Sequence, residues 1–227
     1  MNVLAIIPAR GGSKGIPRKN LELLHGKPLV VHAIDTAIKS SSVTRTVLST
    51  DDDEIAQTGL EAGAEVIKRP ENLANDTAPT IPVLQHVVDT LKAEGWKADI
   101  IVLLEPTSPF RTPEIVDKII SKFQDQKVKS AITVTQLERN PYNIFSVDGD
   151  DAERFIVSSS GQFTRRQQFT HLKRLNGCVY AARESLLATG ILVEEPMKVV
   201  EMTAEQSINI DTPMDLEIAR MMVNKIK

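Results

Sequence analysis

Short apolar runs and helical apolar stripes alternate along the first 135 residues. The runs 3–7 and 100–104 contain no polar residue, which is typical of strands buried on both faces of a sheet. Between residues 28 and 40, apolar side chains recur every three or four positions, which predicts an amphipathic helix. This alternation predicts a mostly parallel sheet with helices on both faces, the doubly wound α/β class.

The same two patterns predict the other core elements. Strands are expected at 43–49, 64–67, 131–134, 178–181 and 207–210, and helices at 51–63, 81–91 and 213–225. A further helix should begin at Thr112, because threonine is a good cap and Pro113 suits the first helical position.

The pattern changes after Pro141. Turn-forming residues at 148–150 and 158–161 separate short apolar stretches, and helical periodicity fades. We therefore expect one domain over residues 1–227, which carries a small inserted β-rich segment at about 138–175.

Composition limits the class of protein. The chain has 227 residues, 41% hydrophobic and 25% charged, as in ordinary globular domains. Its single cysteine, Cys178, excludes an intrachain disulfide framework and favours a reducing compartment. The run 3–7 is too short for a secretory signal, and no stretch reaches the roughly 20 apolar residues of a membrane span. We expect a cytoplasmic protein without a membrane partner.

The charge is unevenly distributed. The net charge of −3 argues against nucleic acid as a partner. Residues 1–30 nevertheless carry +4, which leaves −7 for the rest of the chain. This asymmetry favours a local cationic site for a small anion.

A glycine-rich loop follows the first predicted strand, in the sequence IIPARGGSKGIPRKN (6–20). The carboxyl edge of a parallel sheet is where ligands bind in open α/β folds. Glycines let backbone N–H groups approach phosphate oxygens, and lysine and arginine supply charge. The spacing matches neither the P-loop nor the dinucleotide fingerprint. The loop thus predicts a polyphosphate site, although a solvated turn with surface lysines would also explain the motif alone.

Seven segments together resemble the acylneuraminate cytidylyltransferases, the CMP-sialic acid synthetases and their CMP-nonulosonate relatives. They lie in the family's order at 7–20, 48–56, 69–78, 103–112, 165–167, 176–180 and 208–216. The resemblance implies a Rossmann-like nucleotidyltransferase that uses CTP to activate a nine-carbon α-keto acid sugar. The sugar's anomeric hydroxyl would attack the α-phosphorus and release pyrophosphate, with Mg²⁺ as cofactor.

The resemblance also implies roles for individual residues. Nucleotide binding would involve Arg10, Gly11, Gly12, Ser13, Lys14, Asn20, Arg69, Asp76 and Thr80. Sugar binding would involve Glu105, Arg111, Arg165, Asn176 and Tyr180. Catalysis would depend on Lys19, Arg166 and Asp211, with Lys19 stabilising charge in the transition state. In related enzymes the inserted segment dimerises and helps to close the neighbour's sugar site, so a homodimer is expected.

The expected metal site departs from the family pattern. Family members typically carry Asp-x-Asp before the last helix, whereas this chain has Asn209 and Asp211. Alternate residues of a strand point the same way, so both side chains could still share one Mg²⁺. Glutamine is expected in the sialate branch where this chain has Glu105. We hypothesise that Glu105 either restores a metal-side carboxylate or contacts a different sugar substituent, as in a legionaminate-type or pseudaminate-type acid.

Several residues have simpler interpretations. Asp211 could belong to the start of a helix capped by Thr212 and Asp215. Arg18 could face water, Arg111 could form a structural ion pair, and Tyr180 could be a core residue.

Other features fit structure better than chemistry. The segment 75–77 could be a helix cap, and the acidic run 51–54 fits a helix start. Cys178 fits buried packing. The four histidines lack ligand-like spacing.

Two other functions are compatible with the sequence. One is a CMP-Kdo-type or other sugar nucleotidyltransferase of the same fold. The other is a catalytically weak CTP-binding homologue, because position 209 lacks an acidic ligand.

Overall fold

The computed structural model describes residues 1–75, 78–139, 141–156 and 172–223. The strands are β1 (Val3–Pro8), β2 (Leu23–Leu24), β3 (Lys27–Pro28), β4 (Arg45–Thr50), β5 (Glu65–Lys68), β6 (Ile100–Leu103), β7 (Ser130–Gln136), β8 (Phe145–Asp148), β9 (Asp151–Arg154), β10 (Lys173–Arg183) and β11 (Lys198–Glu201). The helices are α1 (Leu29–Lys39), α2 (Asp53–Glu61), α3 (Thr80–Ala93), α4 (Pro113–Ser121), α5 (Glu184–Leu187) and α6 (Pro213–Val223).

Within the described residues, seven strands form the central sheet in the order β11-β7-β10-β6-β1-β4-β5. All neighbouring pairs are parallel except those of β10, which runs antiparallel to both β6 and β7. The predicted doubly wound, mostly parallel α/β fold is confirmed.

Strand β1 lies between β4 and β6 and separates two apolar layers. Val3, Ala5 and Ile7 pack in a first core cluster with residues of α1 and α4. Leu4 and Ile6 point the other way into a second cluster, where α3 covers them. Successive strand residues face opposite sides of a sheet, so an uninterrupted apolar run is what a doubly covered strand needs.

The predicted strand at 207–210 is wrong. A short 3-10 turn at Glu205–Ser207 leads into an irregular extended segment. Ile210 joins a third apolar cluster with Ile16 and Leu216, and its N–H donates to the Thr107 carbonyl rather than to a strand. The apolar alternation at 208–210 is therefore explained by packing under α6. The edge strand of this region is β11, which the sequence analysis missed because Val200 is its one buried residue.

Other differences lie at element ends. Helix α2 begins at Asp53 rather than 51, because the Asp52 side chain accepts from the N–H groups of Glu54 and Ile55 and ends the preceding loop. Strand β10 begins at Lys173, inside the segment predicted as an insertion. The short elements β2, β3 and α5 were not predicted. The predicted end of the last helix, 224–225, lies outside the described residues.

The segment predicted as inserted contains a hairpin. Strands β8 and β9 pair antiparallel around the turn predicted at 148–150 and form a sheet of their own. Phe145, Val147 and Phe155 are exposed there. Its assignment as an inserted dimerisation arm stays a prediction.

Among the described helices, none combines the length and apolarity that crossing a bilayer requires.

Candidate functional site

A cleft of about 430 Å³ lies at the carboxyl edge of β1, β5 and β6. The loops that follow these strands form its walls, and the segment before α6 closes one side. Its lining residues are Pro8, Arg10, Ser13, Lys14, Gly15, Lys19, Asn20, Arg69, Leu73, Asn75, Ala78, Thr80, Val83, Glu105, Pro106, Thr107 and Asp211.

The cleft brings together many of the residues selected from the sequence. Those that line it are Arg10, Ser13, Lys14, Lys19, Asn20, Arg69, Thr80, Glu105 and Asp211. Gly11, Gly12, Arg111, Asn176, Tyr180 and Asn209 are not among its lining residues. Asp76, Arg165 and Arg166 lie outside the described residues, so their roles stay predictions.

Lys19 and Asp211 meet across the cleft. Lys19 Nζ donates to Asp211 Oδ1 and to the Ile210 carbonyl, both at 3.0 Å. The Lys19 side chain is only 16% exposed, whereas that of Asp211 is 62% exposed. The first loop and the last extended segment are thus joined by one charged contact.

Asp215, and not Asp211, caps the last helix together with Thr212. Thr212 and Asp215 form a capping box, in which the Asp215 carboxylate accepts from the Thr212 N–H at 2.8 Å and the Thr212 hydroxyl accepts from the Asp215 N–H at 3.3 Å. Burial would raise the pKa of Asp215, but these hydrogen bonds leave it lowered. Because Asp215 does the capping, the Asp211 carboxylate is available to the cleft.

Asn209 lies beside Asp211, although no strand holds the pair. Its Nδ2 donates to Asp211 Oδ2 at 2.5 Å, and its Oδ1 accepts from the Ser108 hydroxyl at 3.3 Å. The amide nitrogen therefore faces the carboxylate while the carbonyl oxygen faces Ser108. A metal-ligand role for Asn209 stays a prediction, and it requires the amide to rotate.

The glycine-rich loop is fixed to the start of α2. Gly11 N–H donates to Asp51 Oδ1 at 3.1 Å, and Asn20 Nδ2 donates to the Arg10 carbonyl at 2.9 Å. Arg18 does not simply face water, because it donates to Asp52 and Glu54 at the α2 N-terminus. Its hydrogen bond helps to lower the pKa of Asp52. These contacts hold the loop in shape without using Lys14 or Lys19.

Gly15 allows the loop to touch the last extended segment. A Cβ atom at this position would lie far inside van der Waals contact with the Asp211 carbonyl oxygen, a backbone atom. Gly12 has open space around it, so a Cβ there would meet nothing. Only one of these two glycines is therefore required by packing.

Arg69 is a buried cation that lines one side of the cleft. Its Nη2 donates to the Ser49 carbonyl at 2.8 Å. Burial lowers its pKa, although the nearby Asp51 carboxylate opposes that shift. An anionic ligand would stabilise the charge of this buried guanidinium group.

Glu105 lines the opposite wall of the cleft, and the buried Arg111 lies outside the lining but close enough for its charge to act on Glu105. Arg111 is buried, and its Nη1 donates to the Cys178 carbonyl at 2.9 Å. Within the described residues its Nε and Nη2 have no hydrogen-bond partner. Burial lowers the pKa of Arg111 to about 10, against the attraction of Cys178 and Glu105. Arg111 does not line the cleft, and two of its donors are unpaired among the described residues, so both the sugar contact and the structural ion pair stay predictions.

The Glu105 carboxyl group faces the cleft. Burial raises its pKa and the Asp211 charge adds to that shift, while Arg111 and Lys19 oppose it. Its carboxylate makes no side-chain hydrogen bond to any residue in the described ranges.

Asn176 is a buried structural residue rather than a cleft residue. Its Oδ1 accepts from the Thr133 hydroxyl at 2.6 Å, and its Nδ2 donates to the Ser207 hydroxyl at 2.9 Å. The amide links β7 and β10 to the segment that carries Asp211. Both ends of the amide are occupied by protein groups, and the sugar contact predicted from the sequence stays a prediction.

Tyr180 lies on β10 and packs against the second core cluster. Burial raises its pKa, and the negative charge of Glu105 adds to this shift. Tyr180 lies near Glu105 but outside the cleft lining, which agrees with the alternative that it is a core residue.

Sequence reasoning missed part of the cleft wall. Leu73 and Val83 supply an apolar surface, and Pro106 and Thr107 extend the wall beside Glu105. The signal for Pro106 and Thr107 was present, because they follow β6 directly at the ligand edge of the sheet. From the sequence alone, Val83 could not be recognised as a cleft residue, because it belongs to the apolar stripe of α3 that packs in the core.

The cytidylyltransferase family model matches residues 4–222. The chain belongs to the cytidylyltransferase family. It is 34% identical to CMP-N,N'-diacetyllegionaminic acid synthase of Legionella pneumophila, across 95% of this chain and 93% of that protein. It is 30% identical to pseudaminic acid cytidylyltransferase of Campylobacter jejuni, across 98% and 96% of the two chains.

The fold also agrees with solved structures. CMP:2-keto-3-deoxy-manno-octonic acid synthetase complexed with CTP matches with a TM-score of 0.74 at 21% identity, covering 100% of both chains. The resemblance drawn from the seven sequence segments is thus confirmed for both family and fold.

Cytidylyltransferases of this kind generally use a divalent metal. The described residues contain no group of three or more His, Cys, Asp or Glu side chains that could hold an ion by themselves. They do offer the hard, exposed carboxylate of Asp211 beside a cationic cleft. One or two carboxylates with phosphate oxygens and waters are what Mg²⁺ usually needs, so the donor set fits this ion together with a nucleotide.

Glu105→Gln tests the burial of that carboxyl group through the pH dependence of stability. A raised pKa means that the folded protein loses stability as Glu105 ionises, when the pH rises through and above the ordinary value of 4.5. The variant lacks this loss. We expect its free energy of unfolding, relative to the parent, to increase between about pH 4 and about pH 7 in urea titrations.

Glu205→Gln is the matched control. Hydrogen bonds from its own N–H and from Thr203 lower the pKa of Glu205, so this variant should lose relative stability over the same pH interval. A flat or opposite pH dependence for Glu105→Gln would contradict the burial described for its carboxyl group.

Proposed function

We propose that this chain is a CTP-dependent cytidylyltransferase that activates a nonulosonic, sialic acid-like sugar to its CMP-sugar and releases pyrophosphate. The observation that carries the proposal is the convergence of Arg10, Lys14, Lys19 and Arg69 on one cleft at the carboxyl edge of the sheet. That surplus of cations suits a triphosphate. The family and the names of the relatives support cytidine as the nucleoside and a nonulosonic acid as the acceptor.

The nucleotide occupies the side of the cleft formed by the glycine-rich loop and the loop before α3. Ser13, Asn20 and Thr80 offer neutral hydrogen-bonding groups among the cations. Gly11 and Gly12 shape the loop around the phosphates, and Asp76 belongs to the same binding site.

The reaction replaces one bond at the α-phosphorus with another. The sugar's 2-hydroxyl oxygen bonds to phosphorus, its proton passes to solvent, and the bond to the bridging oxygen breaks. Pyrophosphate leaves with that electron pair. Lys19, which is poor in solvent, stabilises the charge that grows on the phosphate oxygens. Arg166 assists on the same anionic group.

Asp211 would hold Mg²⁺, and Asn209 would offer its carbonyl oxygen after rotation of the amide. When bound, the ion neutralises triphosphate charge. Asp211 suits this role because its carboxylate is exposed to the cleft while its neighbours fix its position.

The acceptor sugar lies beside Lys19 and Asp211, because these residues mark the place of the reacting phosphorus. Glu105, Pro106 and Thr107 line that part of the wall. Arg165 contributes from the segment 157–171, while Arg111, Asn176 and Tyr180 support the wall from behind. The two bacterial relatives and the carboxylate at position 105 favour a legionaminate-type or pseudaminate-type acid over N-acetylneuraminate.

The enzyme acts as a cytoplasmic homodimer that uses the segment at about 138–175 as its contact. The exposed Phe145, Val147 and Phe155 support this assembly, because an apolar surface gains stability when a partner covers it. The single buried Cys178 suits a reducing compartment.

A substrate panel tests the activity. The purified protein is incubated with Mg²⁺ and either CTP, UTP or GTP, together with diacetamido nonulosonic acids, N-acetylneuraminate or Kdo. Pyrophosphate release is expected with CTP and a diacetamido nonulosonic acid. Consumption of UTP or GTP, or a preference for Kdo, would contradict the proposed substrates. CTP binding without turnover of any sugar would favour a catalytically weak homologue.

Gly15→Ala tests whether the packed loop forms the nucleotide site. Its new Cβ must displace the Asp211 backbone and hence the Lys19 contact, so the Kd for CTP with Mg²⁺ should rise by about tenfold or more in calorimetric titrations. Gly95→Ala is the control, because its Cβ meets no neighbouring atom and it lies outside the cleft lining, so Kd should stay near that of the parent although its positive φ strains an alanine. Equal effects of the two substitutions would contradict this loop geometry.

A further inference from the structure

The Lys19–Asp211 contact pairs the two groups that a nucleotide and a cation would each use. The Lys19 side chain is only 16% exposed, and its Nζ donates to both Asp211 and the Ile210 carbonyl. A counter-charge stabilises a partly buried ammonium group. Asp211 therefore stands where a phosphate oxygen would stand when the nucleotide binds.

Neighbouring groups prevent Asp211 from simply turning away. One carboxylate oxygen accepts from Lys19 and the other from Asn209 Nδ2, and its backbone N–H donates to Asp215. The loop at Gly15 also lies against its carbonyl oxygen. The negative charge is thus held at the cleft wall, close to the cation that should receive the phosphate.

This arrangement makes binding of the two ligands interdependent. A triphosphate that reaches Lys19 without a metal ion comes close to the Asp211 carboxylate, and like charges a few ångströms apart repel. A divalent cation at Asp211 reverses the sign of that interaction and frees Lys19 for phosphate. Each ligand then raises the affinity for the other by the same factor.

We propose that Asp211 blocks Lys19 in the free protein, so that the site discriminates against metal-free CTP and favours CTP loaded with its cation. This inference rests on the proposed function, and it adds a role for Asp211 beyond holding a metal ion. Of the pair at positions 209 and 211, only Asp211 carries a negative charge that can block Lys19, because the amide of Asn209 is neutral.

Two variants change this charge in opposite directions. Asp211→Asn removes the blocking charge but retains a side chain of the same shape. Asn209→Asp adds a second carboxylate beside Asp211. Glu217→Gln is a matched control, because it removes one negative charge from an exposed position on α6, away from the cleft lining.

The test is the Kd of CTP at fixed ionic strength, measured by calorimetry in EDTA and again in excess Mg²⁺. In EDTA, Asp211→Asn should bind CTP about tenfold more tightly than the parent, and Asn209→Asp about tenfold more weakly. The gain in affinity on adding Mg²⁺ should shrink in Asp211→Asn and grow in Asn209→Asp. Glu217→Gln should match the parent in both conditions.

The outcomes separate this inference from the proposed function. If the parent binds CTP in Mg²⁺ but Asp211→Asn has an unchanged or weaker affinity in EDTA, the block by Asp211 is wrong and the proposed function stands. An unchanged affinity of Asn209→Asp in EDTA would overturn it equally. If no protein binds CTP in either condition, the proposed function itself fails, and this inference fails with it.

Discussion

The partly buried side chain of Lys19 carries a positive charge that an anionic partner stabilises. That interaction joins two segments 192 residues apart, the loop after β1 and the segment before α6. The cleft lies between them, and this charged contact is one of those that hold its two sides together. The contact must also open or rearrange if a triphosphate is to reach Lys19. The strength of this contact in the free protein therefore affects the affinity for the nucleotide.

The rest of the fold positions these two segments. β1 is buried on both faces and places its loop at the ligand edge of the sheet. The last segment has no strand pairing and depends on other contacts. Ile210 packs in the third cluster and bonds to the loop after β6, while Asn176 links Ser207 to the sheet. Buried polar groups with all partners in place hold such irregular backbone firmly. The position of Asp211 thus depends on residues that do not line the cleft.

Much of this architecture could be predicted from sequence. Elements with strong periodicity, such as β1, β6 and α1, lay close to their predicted bounds, because burial on one or both faces determines their pattern. Lys19, Arg69 and Asp211 were selected by motif and do line the cleft.

The limits of sequence reasoning have a common cause. The apolar residues at 208 and 210 alternate as in a strand, yet they pack beneath α6. Arg111 and Asn176 belong to matching motifs but do not line the cleft. A motif shows that a residue is needed without showing whether it contacts a ligand or supports a neighbour, so their sugar contacts stay predictions. Local pattern cannot distinguish these cases, since tertiary contacts distant in sequence decide them.

The most direct test of the account is the affinity for CTP in Mg²⁺ when Lys19 is changed to methionine, which keeps the apolar stem and removes the charge. Lys27→Met is the control, because Lys27 pairs with Asp35 away from the cleft. Lys19→Met should weaken binding by about thirtyfold or more, while Lys27→Met should bind like the parent. Equal affinities of Lys19→Met and the parent would contradict the central role of this contact.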